Sequence, residues 1–141
     1  MKRMGIILLA IILLVIAADA WVRLAPIDPA RFVVAGRAKS PGDHPEPGGF
    51  QAAREVEDPQ VQMVALDKII RATARTRRVE GSPEAGQVAY VTRSAFWGFP
   101  DVTTLWVDGQ TIQIRGHLVF GRSDLGVNKA RIQGWLDEAG L

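Results

Sequence analysis

The chain has 141 residues, enough for one domain rather than two. Setting Lys2, Arg3 and Asp19 aside from its 17 basic and 15 acidic residues leaves 15 against 14, a balance that excludes the basic face of a nucleic-acid-binding protein. The absence of cysteine excludes a disulfide framework, a thiolate metal site, a cysteine nucleophile and a lipid-modified cysteine.

Met1-Lys2-Arg3 is a short positive head, and Met4 to Ala18 then runs 15 residues without a polar side chain. A helix apolar on every face behind a basic start suits a membrane better than a soluble core. Two readings fit. A secretory signal has an apolar stretch of about 7–15 residues and then a small-x-small site, here Ala18-Asp19-Ala20. An uncleaved anchor needs roughly 20 residues to cross about 30 Å of hydrocarbon. Met4 to Val22 supplies 19, with Trp21 and Arg23 as an interfacial boundary. In both readings Lys2 and Arg3 stay inside. The expectation is a single-pass cell-membrane protein with its C-terminal domain in the periplasm, or a cleaved, soluble periplasmic domain.

Residues 24–58 read as a tether. Pro26, Pro29, Pro41, Pro45 and Pro47 interrupt any helix, and SPGDHPEPGG has no apolar side chain, so it is expected to be mobile or extended, with His44 solvated. Arg31 to Val34 is the exception, a candidate edge strand.

The folded unit is expected over 59–141. Asp58-Pro59 marks a helix start, an Asp cap followed by proline at the first position. Met63, Leu66, Ile70 and Ala74 follow at helical spacing, with Lys68, Arg71, Arg75 and Arg78 as a basic stripe. Strands are predicted at Gln87 to Phe96, Val102 to Val107 and Thr111 to Phe120, with a shorter one near Arg77 to Glu80. Asp108-Gly109 is a two-residue hairpin signal that sets Leu105 opposite Ile112. Leu105, Ile112 and Ile114 then share the core face, and Val102, Trp106, Arg115 and His117 the other. Ser123 or Asp124 is expected to cap a last helix whose apolar stripe is Ile132, Trp135, Leu136 and Ala139. The fold class is therefore α+β: an apolar N-terminal helix, then helix, an antiparallel meander of three or four strands, and helix, in two layers.

The densest polar pattern is Gly121 to Arg131. Asp124, Asn128 and Arg131 are spaced to line one helix face, and a helix N-terminus attracts anions. Arg115, His117, Ser123, Asp124, Asn128 and Arg131 are thus candidates to bind a small carboxylate or phosphate, or else form a structural latch between the last strand and helix. GRSDLGVNKARI, with Phe99-Pro100-Asp101 upstream, resembles the bacterial and plastid domain-of-unknown-function family 1499 over roughly Pro59 to Leu136. Gly121, Ser123, Asp124, Gly126, Asn128, Arg131, Phe99 and Asp101 carry the match. Leu118-Val119 stands where many members have Ser-Arg, and a cysteine-containing stretch found in some is missing. The resemblance implies a small exported or membrane-associated domain and brings no activity with it.

No G-x-S-x-G elbow, H-E-x-x-H, Walker loop or dinucleotide fingerprint occurs, and Asp101 and Asp124 are acids that nothing in the sequence brings together. No catalytic residue, metal or cofactor is expected. The function expected is an accessory domain contacting the bilayer or an envelope membrane-protein partner, with Trp97, Phe99 and Trp106 as the candidate contact surface. The alternative is a binding module for a small anion.

Overall fold

A computed structural model of the chain describes residues 2–28 and 36–141. The candidate strand at Arg31 to Val34 lies outside the described residues. The N-terminal segment is one helix, α1 (Lys2–Leu24), long and apolar enough to cross a membrane. At 1.5 Å per residue it spans about 35 Å. Its apolar side chains from Met4 to Ile16 are exposed.

The remainder has the expected α+β class, with a sheet of six strands. These are β1 (Gly42–Glu46), β2 (Gly49–Glu55), β3 (Thr76–Ser82), β4 (Gln87–Arg93), β5 (Pro100–Asp108) and β6 (Thr111–Leu118). They lie in the order β1-β2-β6-β5-β4-β3, every neighbour antiparallel. Helices α2 (Pro59–Ala72) and α3 (Val127–Ala139) pack together on one face.

Two strands beyond the expected four come from the stretch read as a tether. β1 has no apolar side chain to announce it, and Pro45 lacks an N–H, which only an edge strand tolerates. Charge holds it instead: Arg54 pairs with Asp43, and Lys39 and Arg115 both pair with Glu46, each at 2.7 Å. Burial alone would raise the Glu46 carboxyl, but bonds from Lys39 and Arg115 hold it below its ordinary value. Pro47-Gly48 makes the turn, with Gly48 at φ 65°. β2 then runs between β1 and β6 and buries Phe50, Gln51, Ala52 and Ala53.

The β5–β6 turn also differs from expectation. Its central residues are Gly109 and Gln110, so Asp108 pairs with Thr111 and Leu105 with Ile114. Gly109, at φ 59°, occupies the first central position, where a II′ turn needs positive φ. The partner moves two residues along β6, so each side chain keeps its face.

The core lies between the sheet and the helix pair. Asp58 Oδ1 accepts from the N–H groups of Gln60 and Val61, at 3.0 and 3.1 Å, and starts α2 as expected. Met63, Leu66 and Ile70 of α2 and Ile132, Trp135 and Leu136 of α3 pack on Phe50, Val88, Leu105, Ile112 and Ile114. Asp67 is a charge within this layer. It accepts from Tyr90 Oη at 2.8 Å and from Arg78 at 2.5 and 3.1 Å, tying α2 to β3 and β4. Burial would raise the Asp67 carboxyl, yet these donors hold it below its ordinary value. Burial, then the bond to Asp67, pushes the Tyr90 phenol above its usual range.

The opposite face is partly covered. Residues 36–39 cross it, with Lys39 N–H donating to Gln113 Oε1 at 3.2 Å and Gln113 Nε2 donating to Lys39 O at 2.7 Å. Gly36 lies so close that a Cβ would sit 3.1 Å from Trp106 Cη2. Trp106 is only 6% exposed, so it forms no contact surface, contrary to expectation.

If β2 belongs to the core, Phe50→Ala should lower unfolding stability by about 3–5 kcal/mol in urea. An unchanged midpoint would place residues 49–55 outside the cooperative unit.

Candidate functional site

β4 stops, β5 starts, β6 stops and β3 starts at one end of the sheet, because each pair is antiparallel with little offset. The same end receives α1. Arg93 Nη1 donates to Val22 O at 2.8 Å and to Gly98 O at 3.0 Å, and its Nη2 donates to Ala25 O at 3.1 Å. The last carbonyls of a helix lack intrahelical donors, so a guanidinium there satisfies them and meets the negative end of the dipole. In return Arg23 donates through Nη2 to Phe96 O. Gly98, at φ 67°, leaves room for Arg23, whose Cγ would lie 2.5 Å from a Cβ.

Between β4 and β5 the chain closes a short loop. Ser94 N–H donates to Phe99 O at 2.9 Å, and Phe99 N–H to Ser94 Oγ at 3.0 Å. This closure leaves Phe96 74%, Trp97 49% and Phe99 44% exposed. Phe96 and Trp97 meet edge to face at 4.8 Å, and Phe99 faces Phe120 at 6.3 Å. Phe120 and Leu125 extend the exposed apolar group. Contiguous apolar exposure of this extent is uncommon on a soluble monomer.

Arginines flank the aromatics. Arg75, in the left-handed region at φ 59°, donates from Nε to Arg93 O at 3.1 Å. Arg77 is exposed and has no acidic partner among the described residues. Burial, then the charges of Arg77 and Arg23, lowers the Arg93 pKa from its ordinary value. Positive charge is therefore concentrated here, with Arg23 paired to Asp19 at 2.7 Å.

A cavity of about 580 Å³ opens beside these groups, between the C-terminus of α2 and the N-terminus of α3. Its rim includes Trp97, Phe99, Phe120 and Leu125, and Arg75 and Arg93 form one wall. Deeper in, Arg131 Nη1 donates to Asp101 Oδ2 at 3.1 Å and to Asn128 Oδ1 at 3.3 Å. Burial raises the Asp101 carboxyl above its ordinary value; Arg131 opposes this incompletely, and Asp124 adds repulsion. Asp124 accepts from Asn128 N–H at 2.9 Å and Gly126 N–H at 3.2 Å. Those N–H groups hold its carboxyl below the ordinary value, although burial alone would raise it. Asn128 is wholly buried against Gly116, and its Nδ2 has no partner among the described residues.

Of the residues singled out in the sequence, Ser123, Asp124 and Arg131 line this cavity, with Asn128 bonded to Arg131. Ser123 Oγ accepts from Leu125 N–H at 3.3 Å. Asp101 and Asp124, unlinked in the sequence, share the cavity wall. Arg115 and His117 are not brought there: alternation along β6 turns them to the opposite face, where Arg115 meets Glu46 and His117 Nδ1 lies 3.2 Å from Leu118 O. Asp124 itself accepts from the Gly126 and Asn128 N–H groups at the start of α3, where the small carboxylate or phosphate was expected. Trp97 and Phe99 are exposed as expected. Sequence reading missed Arg93 as the α1 partner, since Val22 lies 71 positions away and no local pattern encodes the contact. Among the described residues no group of three His, Asp or Glu could hold a metal ion.

The family model described as "Protein of unknown function (DUF1499)" matches residues 22–138, and the chain belongs to that family. The match begins well upstream of Pro59 and takes in β1 and β2. No curated protein matches the chain. Among solved structures, a DUF4468 family protein from Bacteroides ovatus ATCC 8483 is 14% identical over 65% of this chain and 63% of that one, with a TM-score of 0.32. The chain spans 63% of that protein's length, and so weak a likeness supports no argument.

Asp101 should titrate, by carboxyl-carbon NMR, with a midpoint above the ordinary 3.8, and Arg131→Gln should move it higher. Because the native state holds this proton more tightly than the unfolded chain, its stabilising contribution is full at low pH and is lost as pH rises through the raised pKa. Asp67 acts with the opposite sign: its contribution is present above its unfolded value and lost as pH falls through its depressed one. A midpoint for Asp101 below 3.8 would show that Arg131 outweighs burial.

Proposed function

We propose that this member of the DUF1499 family is an anchored accessory domain that rests its α1-side end on the periplasmic surface of the cell membrane. The observation that carries this reading is the mutual capping of α1 and the β4–β5 loop. Arg93 holds the carbonyls of Val22 and Ala25, while Arg23 holds that of Phe96. The aromatic loop therefore stands at the level where the apolar helix ends. Trp and other aromatics favour the membrane–water interface, and arginines beside them attract anionic headgroups. Trp21 belongs to the same belt. Lys2 and Arg3 at the far end of α1 support an inside N-terminus and an outside domain.

The absence of cysteine makes a single introduced thiol a clean probe. In full chain reconstituted into vesicles, a nitroxide on Trp97→Cys should lie within the headgroup region by power-saturation EPR. One on Asp108→Cys, at the far end of β5 and about 25 Å away along the strand, should report water. Equal exposure of both labels to the aqueous relaxant would end the proposal. For orientation, a periplasm-dependent reporter fused after Leu141 should be active; activity only of a cytosol-dependent reporter would reverse the topology.

A further inference from the structure

We infer that the cavity between α2 and α3 receives the headgroup of an anionic phospholipid bearing free hydroxyls, its acyl chains remaining in the bilayer. This deepens the proposed function and rests on the loop lying at the membrane surface.

The cavity has two chemically distinct parts. Its wall is cationic: Arg75 spends only Nε, on Arg93 O, which leaves the terminal nitrogens without a bond among the described residues. A phosphodiester suits that wall, because an arginine fork matches phosphate oxygens in geometry and charge. The interior is different. Asp101 and Arg131 already compensate each other there, so a second full charge gains little. Each partner is nevertheless only half used: Asp101 bonds through Oδ2 and Arg131 through Nη1 alone. A hydroxyl can donate to the remaining carboxylate oxygen and accept from the remaining guanidinium nitrogens, satisfying both at once. Burial disfavours the Asp101 anion, and a donated hydrogen bond is what relieves it. The rim is apolar where the glycerol backbone and first methylenes of a lipid would pass, at Trp97, Phe99 and Phe120. A volume of about 580 Å³ accommodates a phosphoglycerol group with space for ordered water.

The full chain is reconstituted in phosphatidylcholine nanodiscs containing equal minor shares of phosphatidylglycerol and phosphatidylmethanol. The two carry the same charge, and the second has no headgroup hydroxyl. Lipids retained on the protein after detergent release are counted by native mass spectrometry. Phosphatidylglycerol should be retained about tenfold over phosphatidylmethanol, the factor one well-made hydrogen bond supports. Asp101→Asn should abolish that preference while total acidic lipid stays constant, whereas Arg75→Gln should lower both lipids together. Equal retention by the unaltered chain overturns the headgroup site but leaves bilayer docking intact, since docking is read separately by the depth of the Trp97→Cys label. A label in water with no acidic lipid retained overturns both. Displacement of phosphatidylglycerol by glycerol 1-phosphate as readily as by a short-chain phosphatidylglycerol would assign the cavity to a free phosphate ester instead. The ratio measured on the unaltered chain decides the matter even if Asp101→Asn does not fold.

Discussion

A strand offers its side chains to two faces in strict alternation, and in this protein the two faces serve different masters. One is sealed by α2 and α3; the other is crossed by residues 36–39 and touched at its corner by the end of α1. Everything at the functional end follows from that division. Asp101 and Gly116 face the helices, so Arg131 and Asn128 of α3 can reach them. Arg93 faces outward, so it can hold the carbonyls of α1. The loop joining Arg93 to Asp101 has to pass between these two environments, and its aromatics are left on the outside.

The polar groups divide by the same logic. Asp67 is buried with three donors and is satisfied, so it fastens α2 to the sheet and has little left for a ligand. Asp124 likewise uses both oxygens on backbone N–H groups. Asp101 is less well compensated, with one ion-pair partner set against considerable burial. Carboxyls whose environment works against their charge are where small domains often keep their chemistry. Here the carboxyl opens on a cavity whose rim is apolar and whose side is cationic, the combination on which the proposed bilayer docking rests.

Much of the fold was legible in the sequence because local rules decided it. The Asp58-Pro59 cap, the apolar stripe of α3 and the alternation of β5 and β6 all depend on near neighbours, and each appears where expected. The hairpin turn moved by one position because glycine serves either central site of a tight turn; only the ladder distinguishes them. β1 was illegible for a different reason. Its residues are polar, and their hold comes from Lys39, Arg54 and Arg115, two of which lie outside any local window that would suggest a strand. At the site, Ser123, Asp124, Asn128 and Arg131 stood out as a cluster. Arg115 and His117 were grouped with them by nearness in sequence, although period-two alternation already turns both away from the helix layer.

By itself the sequence determined the apolar leader, the α+β class, the order of its helices and later strands, and which residues face the core. Those depend on composition and on periods of two and 3.6 residues, which a chain carries wherever it lies. Tertiary structure alone decided that a polar edge hairpin completes the sheet, that Trp106 is covered while Trp97 is not, and that Arg93 meets Val22. Such contacts join residues distant in the chain, and their energy exists only once loop closure has brought the partners together.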